Sequence, residues 1–240
     1  MQALNRLTMI LEAVASSSRA STAAEVSQAV GLSLSTTTRL MHLMADKGLL
    51  HRTGHDRRYT LGPRLFALVR AASADLDIAE IARPYLERLR DVTGETASLH
   101  VLHGSERLCV AVAESRHQVR RVVSVGLSEP VQGTATGSVL LAGQPLEERA
   151  ELAERLRLGP KKLKELDEIN ERGWALVVDD WVPGLAGLSA AVRDGDVTVA
   201  ALSVSGPSSR FTREVALGHL DVVLETALAL GEQLRHRRSR

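Results

Sequence analysis

A chain of 240 residues is long enough for one large domain or two ordinary ones. Its 44% hydrophobic and 25% charged residues describe packed globules, and with only 2% aromatics the cores must be built from Leu, Val, Ala and Ile. The single cysteine, Cys109, excludes an internal disulfide and a cysteine-based zinc site and fits a reducing cytoplasm. No apolar run approaches the ~20 residues that span a bilayer, so no membrane partner is expected, and residues 1–13 lack the pattern of a secretory signal. The net charge of +1 hides an asymmetry. Residues 1–74 carry nine basic and four acidic side chains, and the remainder 21 basic and 25 acidic. A small basic part beside a larger acidic one suits a protein with one end on a polyanion; chance scatter of charge is the plainer alternative.

Taken in chain order, Leu4, Leu7, Ile10, Leu11 and Val14 recur at helical spacing and predict a first amphipathic helix. Residues 16–21 form a loop. Thr22 reads as an N-cap with Glu25 as its capping-box partner, opening a helix that stops at Gly31. After the short turn Gly31-Leu-Ser33, residues 35–47 form another helix, with Leu40, Leu43 and Met44 inward and Gly48 at the left-handed cap. Residues 49–53 and 57–61 read as a hairpin around Gly54-His-Asp56. A helix follows over 65–74. In the second part the pattern predicts a long helix over 78–92 interrupted near Pro84, a hairpin of 96–102 with 107–114, and a strand over 121–126. Helices follow over 133–142, 146–158 and 161–171. A second hairpin pairs 187–193 with 197–205 across Asp194-Gly-Asp196, and a last helix runs over 214–235. Helices flanking an antiparallel sheet make this part α+β.

Helix, helix, three-residue turn, helix and basic hairpin is the order of a winged helix-turn-helix. The second helix of such a motif lays its exposed face in the major groove. Here that face offers Ser35, Thr36, Thr38, Arg39 and His42. Hydroxyls permit close approach to phosphates, and Arg39 has the fork that reads guanine. Arg57 and Arg58 at the hairpin would meet phosphate or the minor groove. Each feature has a plainer reading: a capping segment for the hydroxyl run, pairing of Arg39 with Asp46 or Glu12, a solvated hairpin for the two arginines. Their occurrence in order points to double-stranded DNA.

On these residues the chain resembles the IclR family of bacterial transcriptional regulators over nearly its whole length. The resemblance is carried by Gly31-Leu-Ser33, Ser35-Thr36, Arg39-Leu40, Gly48-Leu49 and the run from Tyr59 to Leu65. In the second part it is carried by 90–97, Gly126, Pro130, 134–137, Arg172-Gly-Trp-Ala175, Pro183-Gly184, 200–207 and Arg210. It implies a winged helix-turn-helix over 1–63, a linker helix over 64–77 and a GAF-like effector-binding domain over 78–240. It also implies a homodimer, often a dimer of dimers, and a small-molecule effector such as an organic acid. The pocket residues it implies are Ala135, Thr136, Leu185, Gly187, Ser203 and Ser205. The chain departs from the family pattern with Val131-Gln132 after Pro130, Ser138, Val177, Asp180, Gly187 and Ala191. Losing a carboxylate and a thiol there suggests a less polar pocket, for an amino acid or an aromatic acid, with amino-acid metabolism as the regulated pathway.

No metal or cofactor is expected. His100 and His103 should face apart, Cys109 reads as a core residue, and Gly133-Thr-Ala-Thr-Gly137 lacks the lysine of a P-loop, though its helix N-terminus could hold a carboxylate. The reading is a repressor-type regulator, not an enzyme, whose effector shifts paired recognition helices set about 34 Å apart, with the helix over 65–74 as transmitter. A ligand-independent DNA binder, or an enzyme with an appended DNA-binding domain, is the alternative.

Overall fold

A computed structural model describes residues 2–17, 19–53, 57–71 and 73–238. The chain divides into two compact units, Met1–Ser73 and Ala74–Arg240. The expected linker over 64–77 is thus shared between them.

The first unit runs α1 (Gln2–Ala15), β1 (Ser21–Thr22), α2 (Ala23–Val30), α3 (Leu34–Asp46), β2 (Leu50–Thr53), β3 (Arg58–Leu61) and α4 (Pro63–Ala71). Its core is Ile10, Val14, Val26, Met41, Met44, Leu50 and Tyr59. Thr22 caps α2 in a complete capping box with Glu25, and Gly31 ends the helix in the left-handed region at φ 67°. Ser33 caps α3, whose buried stripe is Thr37, Met41 and Met44. The stripe is rotated from the expected one: Met41 packs where Leu43 was placed, and Leu43 is exposed. The two-residue strand β1, too short to leave a periodic signal, completes a sheet in the order β1-β3-β2. The hairpin tip Gly54-His-Asp56 lies outside the described residues.

The second unit contains α5 (Ser73–Thr93), β4 (Thr96–His103), β5 (Glu106–Ala113), β6 (Ser128–Pro130) and α6 (Ala135–Ala142). It continues with α7 (Leu146–Arg155), α8 (Pro160–Arg172), β7 (Trp174–Val178), β8 (Leu185–Asp194), β9 (Val197–Pro207), α9 (Arg213–Gly218) and α10 (Leu220–Arg238). The six strands form one antiparallel sheet in the order β6-β5-β4-β9-β8-β7. Period-two alternation sorts its side chains. Ala200, Leu202 and Val204 of β9 join Ile78, Leu86 and Leu89 of α5 and Val223 and Leu230 of α10 in one core. Ala201 joins α6, Leu152, Leu166 and Ile169 in another. Serines 203 and 205 of β9 lie in the same phase as Ala201.

Three differences from the expected elements have physical causes. Helix α5 continues through Pro84, because Ile78, Ala82, Leu86 and Leu89 hold a buried stripe on both sides of the proline. The segment 121–126 alternates like a strand but forms none. It touches β5 only through Gly126 N–H to the Cys109 carbonyl, 2.8 Å, beside Cys109 N–H to the Leu127 carbonyl, 2.9 Å. The turn at Gly126, φ 85°, then delivers the chain to β6. Strand β7, which flanks the expected hairpin of β8 and β9, is not among the expected elements, because its run Trp-Ala-Leu-Val-Val is continuously apolar and lacks the period-two alternation.

The capping box sets a stability test. Thr22→Ala removes the hydroxyl that accepts Glu25 N–H and should cost about 1 kcal/mol in the first unit by urea denaturation.

Candidate DNA-binding face and effector cavity

On α3 the residues Ser35, Arg39 and His42 are exposed and fall on one stripe, with Thr36 and Thr38 half-buried beside them. The cap fixes where that stripe begins. Ser33 Oγ accepts Thr36 N–H at 3.3 Å and donates to Thr36 Oγ1 at 2.9 Å, so Thr36 is engaged at the helix start. Arg39 has neither an ion pair nor a hydrogen bond among the described residues, and the pairings with Asp46 or Glu12 do not form. Arg57 is exposed in the left-handed region at φ 49°. Arg58 departs from the expectation. Its Nη1 donates to the Ala20 carbonyl at 2.9 Å and sits 3.6 Å from Glu25 Oε2, so it braces β1 against β3. The Glu25 carboxyl is held below its usual range first by the Thr22 backbone and hydroxyl and then by Arg19 and Arg58. Arg52, which sequence reading did not single out, is exposed on β2 beside this surface.

The second unit holds a cavity of about 50 Å³ at the start of α6, and Ala135, Thr136, Leu185, Gly187, Ser203 and Ser205 all line it. The local causes are visible. Thr134 caps α6 by accepting Gly137 N–H at 2.9 Å. Gly137 lies so close to the Val131 carbonyl that a Cβ would overlap it, so glycine is required for the helix to start here. Every residue of α6 is buried. Ala135 and Thr136 of its first turn line the cavity, where the N–H groups of a helix have no partner within the helix. Thr136 Oγ1 and Ser189 Oγ both donate to Ser203 Oγ, at 3.2 and 3.0 Å, and lie 3.0 Å from each other, which leaves the Ser203 proton for a further acceptor. Gly187 leaves real space: a Cβ there would meet only Ser205 Cβ, at 4.0 Å.

Ser98, His100, Arg107, Arg121 and Trp181 also line the cavity and were missed from the sequence; they add two guanidiniums to a lining that also carries the apolar Val123, Val177, Val182 and Leu185. Arg107 is 5% exposed. Its Nη2 donates to Glu129 Oε2 at 2.7 Å, and Arg121 Nη2 reaches the same carboxylate at 3.2 and 3.3 Å. Trp181 covers both guanidiniums, 5.0 and 5.5 Å from its ring centre. The Trp181 loop is tied down by Asp179, whose Oδ1 accepts Gly184 N–H and Ser208 Oγ–H, each at 2.7 Å. His100 shares its Nε2 with Ser98 Oγ at 2.9 Å. Burial, and then Arg107 and Arg121, push its pKa down to about 3, so it is neutral at pH 7. Of the buried side-chain atoms without a partner among the described residues, two belong to the cavity lining: His100 Nδ1 and Arg107 Nε. The thiol of Cys109 is buried and pushed up to about 11, which fits a core residue rather than a nucleophile. Among the described residues no group of three or more His, Cys, Asp or Glu is placed to hold a metal, and no helix is long and apolar enough to cross a membrane.

Comparison with known proteins assigns both units. Residues 3–54 match the IclR helix-turn-helix domain, and residues 70–232 match the C-terminal domain of bacterial IclR transcriptional regulators. The chain belongs to the IclR family. It is 29% identical over 240 residues to the HTH-type transcriptional repressor AllR of Escherichia coli, covering 94% of this chain and 88% of AllR. Among solved structures, Thermotoga maritima IclR superposes with a TM-score of 0.73 at 25% identity, covering 98% and 99% of the two chains. An IclR homologue of Microbacterium hydrocarbonoxydans, solved with 4-hydroxybenzoate, superposes with a TM-score of 0.72 at 26% identity, covering 97% and 99%. This IclR-family protein is thus a DNA-binding transcriptional regulator of α+β fold with a small-molecule effector domain.

The neutral, buried His100 makes a pH prediction. The unfolded chain takes up the proton near the usual value of about 6.5, whereas the folded chain resists it down to about 3. The associated stability is whole above about 6.5 and is lost as pH falls through that window. Denaturant unfolding of the second unit at pH 7 and 5.5 should show a loss that His100→Gln reduces; equal losses in both proteins would contradict the assignment.

Proposed function

We propose that this IclR-family regulator works as a repressor that grips a double-stranded operator through the exposed stripe of α3 and the arginines of the wing, and lets go when an organic acid occupies the cavity at α6. The observation that carries the DNA reading is Arg39: exposed, without an ion partner among the described residues, and on one stripe with Ser35 and His42. A guanidinium in that setting is free to fork onto guanine O6 and N7. Arg57 and Arg52 add phosphate charge, and Arg58 acts through the sheet it braces. A homodimer, paired into a dimer of dimers, would match two half-sites, and the cytoplasm is where such a protein meets its operator.

The cavity favours acids over amino acids. Its lining has two guanidiniums and a neutral histidine, and the Glu129 carboxylate that both arginines share is not part of that lining, so an ammonium finds no anion among the described lining residues. Unsatisfied buried groups at His100 and Arg107 speak against a ligand-independent binder, because such atoms are costly unless a ligand or water meets them. The cavity's one serine–histidine pair, Ser98 with His100, has no carboxylate on His100 Nδ1 to orient it, and a histidine pushed down to about 3 is a poor base, which favours a regulator over an enzyme.

Two measurements test this. A duplex selected from a randomised library should lose about 1–3 kcal/mol of affinity with Arg39→Ala, while Arg58→Ala should lower the stability of the first unit. A thermal-shift panel of organic, amino and aromatic acids should raise the Tm of the full chain with an organic acid that also weakens duplex binding. Duplex affinity unchanged at saturation by every acid would end the effector reading.

A further inference from the structure

The cavity has two poles of different chemistry. One is the start of α6, where Ala135 and Thr136 line the cavity beside the hydroxyls of Ser203 and Ser205. The other lies on β4 and β5. There Arg107 is buried with its Nε unpartnered, His100 is 2% exposed with its Nδ1 unpartnered, and Arg121 stands beside them, 23% exposed. Glu129 supplies one negative charge to two guanidiniums, which leaves one positive charge unbalanced under the Trp181 ring. A ligand with a single carboxylate satisfies one pole and leaves the other without an anionic partner.

Resting on the effector reading above, we infer that Arg107, Arg121 and His100 form a second oxyanion pole, so that the effector is a short dicarboxylate spanning from the α6 N-terminus to the arginine pair. One carboxylate accepts from amides of the first turn of α6 and from the Ser203 and Ser205 hydroxyls. The other accepts from Arg107 Nε and from Arg121, in competition with Glu129. Glu129 is therefore an internal stand-in whose hold on the arginines weakens when the ligand's second carboxylate arrives. Because Glu129 sits on β6, at the edge of the sheet, that exchange acts first on the outermost strand.

Calorimetry on the full chain with two matched series tests this: malonate, succinate and glutarate against propionate, butyrate and valerate, each pair differing by a carboxylate replaced with a methyl. The expected result is at least tenfold tighter binding of one dicarboxylate than of its monocarboxylate counterpart. Arg121→Gln, at a half-buried position that tolerates a neutral side chain, should abolish that ratio without lowering Tm. Glu129→Gln should tighten dicarboxylate binding by removing the competitor. A ratio near one in the unaltered chain, or a ratio unchanged in Arg121→Gln, overturns the second pole. Weaker dicarboxylate binding in Glu129→Gln at unchanged Tm overturns the competition. Binding by none of the six acids also overturns the proposal. The wider acid panel then separates the cases: another acid that weakens duplex binding leaves the effector reading standing without the second pole.

Discussion

A buried arginine that has half the negative charge it needs sets the character of the second unit. Arg107 lies on β5 inside the protein, and its counterion Glu129 is divided with Arg121. Removing a guanidinium from water costs several kcal/mol unless its hydrogen bonds are replaced. Here Nη2 is served by Glu129 and the ring face of Trp181 covers the plane, while Nε is left with nothing. Burial pulls the Arg107 pKa down, with Glu129 pulling the other way. The same cluster keeps His100 neutral. A cavity built this way attracts anions and repels ammonium groups before any shape is considered.

The rest of the fold serves that chemistry by bringing a helix start to the opposite wall. Gly137 lets the backbone of α6 pass against the Val131 carbonyl, and Thr134 closes the cap, so the first turn of α6 starts at the cavity wall. Strands β8 and β9 supply small residues where the wall must stay open, Gly187 opposite Ser205 among them. The Asp179 anchor holds the Trp181 loop over the arginines. In the first unit the logic is reversed. Arg58 is spent on holding β1 to β3, which leaves Arg39, Arg57 and Arg52 exposed.

Much of this was legible in the sequence, because local physics wrote it there. Capping boxes and left-handed glycines marked α2 and α3, and alternation marked β4, β5, β8 and β9. The six pocket positions implied by family resemblance gather around one cavity because they sit on three elements whose order is preserved. The arginine pole was not legible, and a bulge explains why. The pairing runs Leu99 with Ala111 and then His100 with Cys109, which leaves Val110 as an extra residue. Simple alternation places Arg107 on the face of Ala111 and Ala113, where an arginine has no business. The bulge turns Arg107 and Cys109 to the face of His100 instead. A charged residue in a buried phase was the available signal. Arg121 gave none, since it lies in a segment that reads as a strand and folds as an extended loop. The buried face of α3 was rotated because Met41 and Leu43 are equally apolar, and only packing against Ile10 and Tyr59 decides between them.

The account stands or falls on whether the arginine pole meets an oxyanion. The most direct measurement is a crystal structure of the full chain grown with succinate, at a resolution that places carboxylate oxygens. The account predicts one carboxylate at the start of α6 and the other within hydrogen-bond distance of Arg107 Nε, with Glu129 drawn away from at least one arginine. A succinate bound elsewhere, or an Arg107 Nε satisfied by the protein itself while Glu129 keeps both arginines, would contradict it.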